Sequence, residues 1–226
     1  MASFKLHIAR VRGCPAPAQV AKALKDFGLP EGEEFGVLNH SATDQSVLAS
    51  LVRRTQQSVQ RLNVQARELT AAQVERATVY PFGIKPQAEI LEVYSGSASA
   101  IEQVGLFLAG ALGLPTVVEP IELDLVSAIK KLSESCQRFQ LRSLRVAEYA
   151  HSSYMVGPYT PRFMDSAHGM EFLEEYAEHA TSAGVKFAGP GGRVTVSLGT
   201  TASFGFSCNE EDQPAIQMIL RKLVIR

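Results

Sequence analysis

The chain has 226 residues, 46 % of them apolar, enough to bury a core without disulfides or metals, as one large domain or two small ones. Its 22 basic and 23 acidic residues leave a formal net charge of −1, which excludes the overall basic excess of a dedicated nucleic-acid or membrane-surface binder and leaves only a local patch for such a role. Cys14, Cys136 and Cys208 are odd in number and far apart, so there is no CxxC zinc or redox motif, and reduced thiols in a cytoplasmic protein are expected.

The opening MASFKLHIARVRG has no apolar signal-peptide core. Within it, residues 4–11 alternate Phe4, Leu6 and Ile8 with Lys5, His7 and Ala9, the pattern of a half-buried strand. Pro15 and Pro17 then restrict the backbone, Val20, Leu24 and Phe27 recur at helical spacing, and Gly28 with Leu29-Pro30 stops the helix. Residues 35–39 form a second strand.

Residues 46–76 are ambiguous, and 46–66 most directly between strand and helix. They suit a strand paired back on 35–40 across a turn at 42–45. Yet Leu48, Val52, Thr55, Val59, Leu62, Ala66 and Leu69 also fall at spacings of four and three, as in a long amphipathic helix. A strand through about Val59 and a helix over 70–76 are expected. Strands follow at 78–84 and 88–94, with Gly83, Lys85 and Pro86 near the connection. Ser99 and Glu102 have the spacing of a capping box. The helix they open is apolar on nearly every side and should be buried, ending at Gly113 and Pro115. Its run 104–114 is shorter than the roughly 20 residues that span a bilayer, so no membrane partner is expected.

Residues 117–121 read as a short strand. Asp124 opens a helix with Val126, Ile129, Leu132 and Cys136 on one face. The pattern of 139–149 is a strand whose parity slips between Leu141 and Leu144, which a bulge near Ser143 explains. A loop over 151–166 leads to a helix over 167–182, with Phe172, Leu173, Tyr176, Ala177 and Ala180 inward and Glu171, Glu174, Glu175 and Glu178 outward. Strands at 185–187, 194–198 and 202–208 are joined by Gly189-Pro190-Gly191-Gly192 and Gly199-Thr200-Thr201. The last helix has Glu210, Glu211 and Asp212 at its positive end and Arg221, Lys222 and Arg226 at its negative end.

The sum is an α+β fold, antiparallel sheets with helices on one face. It divides into an N-terminal half, 1–115, and a C-terminal half, 116–226, unless the two are one continuous domain. Ala100-Ile101 with Val104 and Leu108 echoes Ala215-Ile216 with Ile219 and Leu223, which suggests a duplicated strand–helix–strands–helix unit. Chance likeness between amphipathic helices explains the echo equally.

Two stretches stand out as sites. The acid-free run 53–67 carries Arg53, Arg54, Arg61 and Arg67 with Gln56, Gln57, Gln60 and Gln65. Arginine forks suit phosphates and glutamine amides suit base edges, although such a run is more often a solvated face. It lacks the aromatics of a single-strand stacking platform. The loop over 151–166 is long enough to be functional. It holds His151, Tyr154, Tyr159, Arg162 and Asp165, with His168 just beyond; their spacing matches no standard metal set. The glycines of 189–192 offer an anion cradle but lack the Lys and Ser/Thr of a P-loop and open no helix, so a turn between strands is expected. Glu175 and His179, one helical turn apart, read as a solvated pair, and Cys14-Pro15 as a buried small side chain. Neither G-x-S-x-G nor H-E-x-x-H occurs, no catalytic residue is assigned, and no cofactor or metal is expected.

Three functions are weighed. The first is a non-enzymatic binding protein that meets nucleic acid or an acidic partner through Arg53, Arg54, Gln57, Arg61 and Arg67, in a setting such as a prokaryotic accessory or antiviral defence factor. The second is a protein–protein assembly module, homo- or hetero-oligomeric. The third is a metal-dependent hydrolase built on 151–168.

Overall fold

The computed structural model describes residues 1–64, 67–97, 99–113, 116–152 and 154–224, and only the backbone of Asn63 and Glu68. Gln65, Ala66, Pro115 and Arg226, noted above, lie outside them. In chain order the elements are β1 (Ala2–Arg12), α1 (Pro17–Phe27), β2 (Phe35–Ala42), β3 (Val47–Asn63), β4 (Glu68–Lys85), β5 (Ile90–Val93), α2 (Ala100–Leu112), β6 (Val117–Pro120), α3 (Leu125–Ser135), β7 (Gln140–Ser152), β8 (Met155–Tyr159), α4 (Ser166–Glu175), β9 (Ala180–Gly189), β10 (Gly192–Gly199), β11 (Ser203–Cys208) and α5 (Gln213–Val224). The fold is α+β, and every strand pair whose register is defined is antiparallel. The chain divides into two compact units, one of Val11–Val93 with Ser97–Val118 and one of Met1–Arg10, Tyr94–Gly96 and Glu119–Arg226.

In the first of these, β2, β3, β4 and β5 form a meander. Leu51, Phe82, Ile84 and Leu91 are at most 1 % exposed at its base, and Phe27 of α1 meets Phe107 of α2 edge-on at 4.9 Å. Pro17 suits the first turn of α1, and Gly28, at φ 57°, closes it by donating to the Leu24 carbonyl. The hairpin β3–β4 pairs without interruption from Val47↔Ile84 to Asn63↔Glu68. Beyond Val52 and Tyr80 it buries no described side chain, so its outer part is a two-stranded arm solvated on both faces.

Three local expectations are corrected here. Residues 70–76 are strand, not helix, and β3 runs past Val59 to Asn63. The ladder satisfies the backbone along the arm, and β-branched Thr55, Val59, Thr70, Val74 and Thr78 favour it; with neither face buried, no period-2 alternation develops. Ser99 precedes α2 without capping it, its hydroxyl bonding Ser97 Oγ at 2.9 Å instead. And α2 is not buried all round: Val104, Phe107 and Leu108 are, while Leu106 is 69 % exposed.

In the second unit the strand order is β1, β11, β10, β9, β7, β8. Register fixes the two faces. One carries the rows Phe4–Phe206–Val196–Val185–Leu141 and Leu6–Phe204–Leu198–Ala183–Leu144. All but Phe4 are at most 3 % exposed, and this core draws in Ile129 and Leu132 of α3, Leu173 of α4 and Ile216 and Leu220 of α5, all fully buried. Asp124 caps α3 by accepting from the Ser127 amide at 3.2 Å. The bulge expected near Ser143 is present as a register shift between Leu141 and Ser143 against β9.

Two expectations fail in this unit. The stretch 151–166 is not one loop: β7 continues to Ser152 and β8 folds back on it, where the rings of Tyr149 and Tyr159 pack tilted with centroids 4.5 Å apart. The helix at 167–182 stops at Glu175, and Ala180 already begins β9. The strand orders do not repeat between the halves either. After α1 the chain enters β2, which pairs with β3, whereas after α4 it enters β9, which pairs directly with β7.

Candidate anion-binding surfaces

The arm distributes its arginines by strand parity. Arg53, Gln57 and Arg61 share one face with Arg76, while Arg54, Gln56 and Gln60 share the other with Glu75. Two arginines are already engaged. Arg53 Nε meets Glu34 Oε1 at 2.8 Å, and its guanidinium lies 5.7 Å from the Phe35 ring centre. Arg54 donates to the Pro30 carbonyl at 2.6 Å and lies 3.6 Å from Glu75. Arg61, Arg67 and Arg76 form no ion pair among the described residues. At the end of the arm, Leu62 and Leu69 are direct cross-strand partners, 63 % and 64 % exposed, and Val64 is 77 % exposed.

The 151–168 candidates do not converge. His151 packs edge-on against Tyr149 and Tyr159, at 5.1 and 5.8 Å between centroids. Tyr159, Phe172 and Tyr176 close the rest of that aromatic cluster with Tyr149. Tyr154 points into solvent, 95 % exposed, and Arg162 forms an isolated bridge with Ser143. Asp165 caps α4 through the Ala167 amide and pairs with His168 Nδ1 at 2.9 Å; those hydrogen bonds hold its carboxyl below the ordinary carboxylate value. Among the described residues, no three metal-ligating side chains gather at one point. His179 sits 3.6 Å from Glu148. The Gly191 amide, the candidate anion donor of 189–192, is occupied by Asp212 Oδ2 at 3.0 Å.

A third surface, absent from the site residues picked out in the sequence, lies on the second unit, on the sheet face opposite its core. Three rows cross five strands there: Ser3–Ser207–Thr195–Lys186–Gln140, Lys5–Gly205–Ser197–Gly184–Ser143 and His7–Ser203–Gly199–Ser182–Arg145. At about 4.8 Å per strand and 7 Å per row, the rows cover a patch of roughly 19 by 14 Å. Not one of these positions is acidic or a large apolar residue, and Arg193, on the same parity of β10, extends the patch. Lys5, Arg145, Lys186 and Arg193 form no ion pair among the described residues.

Glycines keep the patch flat. At Gly205 a Cβ would fall 2.7 Å from Lys5 Nζ and from Ser197 Oγ, and at Gly184 it would fall 2.5 Å from Ser143 Oγ. Neighbouring side chains therefore lie across the glycine positions, as happens where a strand glycine admits close approach. His7 donates Nε2–H to the Ser95 carbonyl at 3.0 Å. Burial, with the charge of Lys5 as a lesser cause, holds it below its ordinary value of 6.5. One signal for this surface was present in the sequence, since residues 180–208 contain neither Asp nor Glu.

Comparison of the chain with protein-family models and with curated proteins gave no match.

Proposed function

We propose that the chain is a non-enzymatic binding protein for nucleic acid, and that it meets the phosphate backbone with the open sheet face of Lys5, Arg145, Lys186 and Arg193. The observation that carries this is the composition of the three rows: lysine, arginine, histidine, hydroxyls, an amide and glycine, with no carboxylate among them. Cations and hydroxyl donors are the groups that contact phosphate oxygens. The near-neutral charge of the whole chain confines that attraction to this patch and to the arm, where Arg61 and Arg76 share a face. With no aromatic ring in the rows except His7, the face offers backbone contact rather than base stacking. A duplex is therefore the favoured form, bound without reading sequence. Three free cysteines suit a reducing, cytoplasmic setting.

The deciding experiment is fluorescence anisotropy of a labelled duplex at low and rising salt. Binding weakens steeply with salt, and each of Lys5→Ala, Lys186→Ala and Arg193→Ala lowers the log–log salt slope by about one. No binding at about 50 mM salt overturns the proposal. Arg61→Ala with Arg76→Ala measures the arm separately.

Assembly is the second use, favoured by the exposed apolar end of the arm at Leu62, Val64 and Leu69, since apolar groups clustered on a surface mark protein contacts. Light scattering on the native chain and on Leu62→Ser/Leu69→Ser tests it. A monomer in both removes self-association.

A further inference from the structure

At the Arg145 corner of the open face the surface sinks into a groove of about 530 Å³. Arg145, the hydroxyls of Thr181, Ser182, Thr200, Thr201 and Ser203, and the backbone of Gly199 line it, with Ala147 and Pro158 as its apolar rim. No carboxylate faces it. Only the Thr181 hydroxyl is committed, donating to the Arg145 carbonyl at 3.2 Å. Those of Ser182, Thr200, Thr201 and Ser203 form no side-chain hydrogen bond among the described residues.

The turn that presents these hydroxyls is held by its backbone. Leu123 N–H donates to the Thr200 carbonyl at 2.6 Å, Thr200 N–H to the Thr181 carbonyl at 3.2 Å, and Ile8 N–H to the Ala202 carbonyl at 3.1 Å. Ala202 is fully buried beneath it. At Gly199 a Cβ would meet Ser203 Oγ at 2.5 Å, so the glycine leaves that hydroxyl its place. The main chain is thus fixed while its hydroxyls stay available, which reduces the ordering cost of binding.

We propose that this groove seats a phosphomonoester group. A terminal phosphate presents three unesterified oxygens and close to two negative charges. One planar guanidinium and four uncommitted hydroxyls match that demand better than they match a backbone diester with two free oxygens. The volume lies in the range of small-molecule sites, so it has room for the attached sugar beside Ala147 and Pro158. Two sources carry this chemistry: the 5′-phosphate of a strand and a free mononucleotide. The inference rests on the nucleic-acid proposal only for the first.

Calorimetry with adenosine 5′-monophosphate, adenosine and inorganic phosphate, and anisotropy with a duplex bearing 5′-phosphate or 5′-hydroxyl ends, test it together. The monophosphate binds and adenosine does not, and Arg145→Ala weakens the monophosphate at least about tenfold, as expected for one charge-assisted contact. Gly199→Ala, which keeps every charge, weakens it too by displacing the Ser203 hydroxyl. A 5′-phosphorylated duplex that binds about tenfold more tightly than its hydroxyl twin assigns the strand end, whereas equal duplexes beside a bound monophosphate assign the free nucleotide. Monophosphate binding without duplex binding keeps the groove and removes the nucleic-acid proposal. Duplex binding with no monophosphate binding and no 5′-phosphate effect overturns the groove alone.

Discussion

The amide of Gly191 donates to the Asp212 carboxylate across 3.0 Å. Asn209 Nδ2 donates to the Gly191 carbonyl at 2.7 Å, so the turn between β9 and β10 is clamped from both sides by the segment that opens α5. Asp212 is 8 % exposed, and losing its carboxylate removes a part-buried hydrogen bond to a charged acceptor. Asp212→Ala should cost about 1–3 kcal/mol in urea unfolding. Gly191→Ala places a Cβ 2.5 Å from the same carboxylate and should cost a similar amount. The double variant should lose less than the sum, because both changes break one contact.

His7 sets a pH dependence of stability. Its folded value lies below the ordinary 6.5, so near and below 6.5 the unfolded chain binds a proton that the folded chain resists. Stability is therefore complete above 6.5 and falls as pH drops through that value toward the folded one. Urea midpoints at a series of pH values should decline over this window, and His7→Gln should flatten the decline. An unchanged slope in the variant would assign the effect to another group.

The thiols should be unreactive while the chain is folded. Burial pushes Cys14 up to about 11 and raises Cys136 and Cys208 as well. At pH 8 Cys14 then holds about one part in a thousand as thiolate, the reactive form. A thiol-specific chromogenic disulfide should titrate slowly in buffer and reach three equivalents in denaturant, one per cysteine of the sequence. A fast equivalent in buffer, lost in Cys14→Ser, would contradict this.

Flatness of the open face can be tested without changing charge. In Gly205→Val the new side chain displaces Lys5 Nζ and Ser197 Oγ, which lie at 2.7 Å from a Cβ there. Because Lys5 is exposed and mobile in its long stem, the fold should survive. Duplex affinity should fall several-fold with the melting temperature little changed. Equal affinity would show that the contact avoids this row.

Much of the second unit was legible because burial imposed a strict rhythm. Val194, Val196 and Leu198 alternate with Arg193, Thr195 and Ser197, and the parity slip around Ser143 predicted a bulge that is present. The arm was not legible, since solvent on both faces removes any reason for alternation and leaves a helical spacing by accident. The hairpin at 151–159 was missed because packing of Tyr149 against Tyr159, a contact within the folded pair, supports it rather than local propensity. The open face escaped for another reason. Lys5, Lys186 and Arg145 come from three distant parts of the sequence and meet only through register, so no window contains the patch. The acid-free run 180–208 was its one trace.

The pairing of Ala2 with Cys208 and of Leu6 with Phe204 also bears on synthesis. Leu6 and its partner Phe204 are 198 positions apart in sequence, 204 minus 6, so Leu6 and Ile8, fully buried when folded, wait for this neighbour until β11 has been made. At about 5–20 residues per second the wait is roughly 10–40 s, while the local β3–β4 hairpin closes in microseconds. The β1–β11 edge is thus among the last parts of the sheet to close, and until then that edge of β1 is one a chaperone would protect.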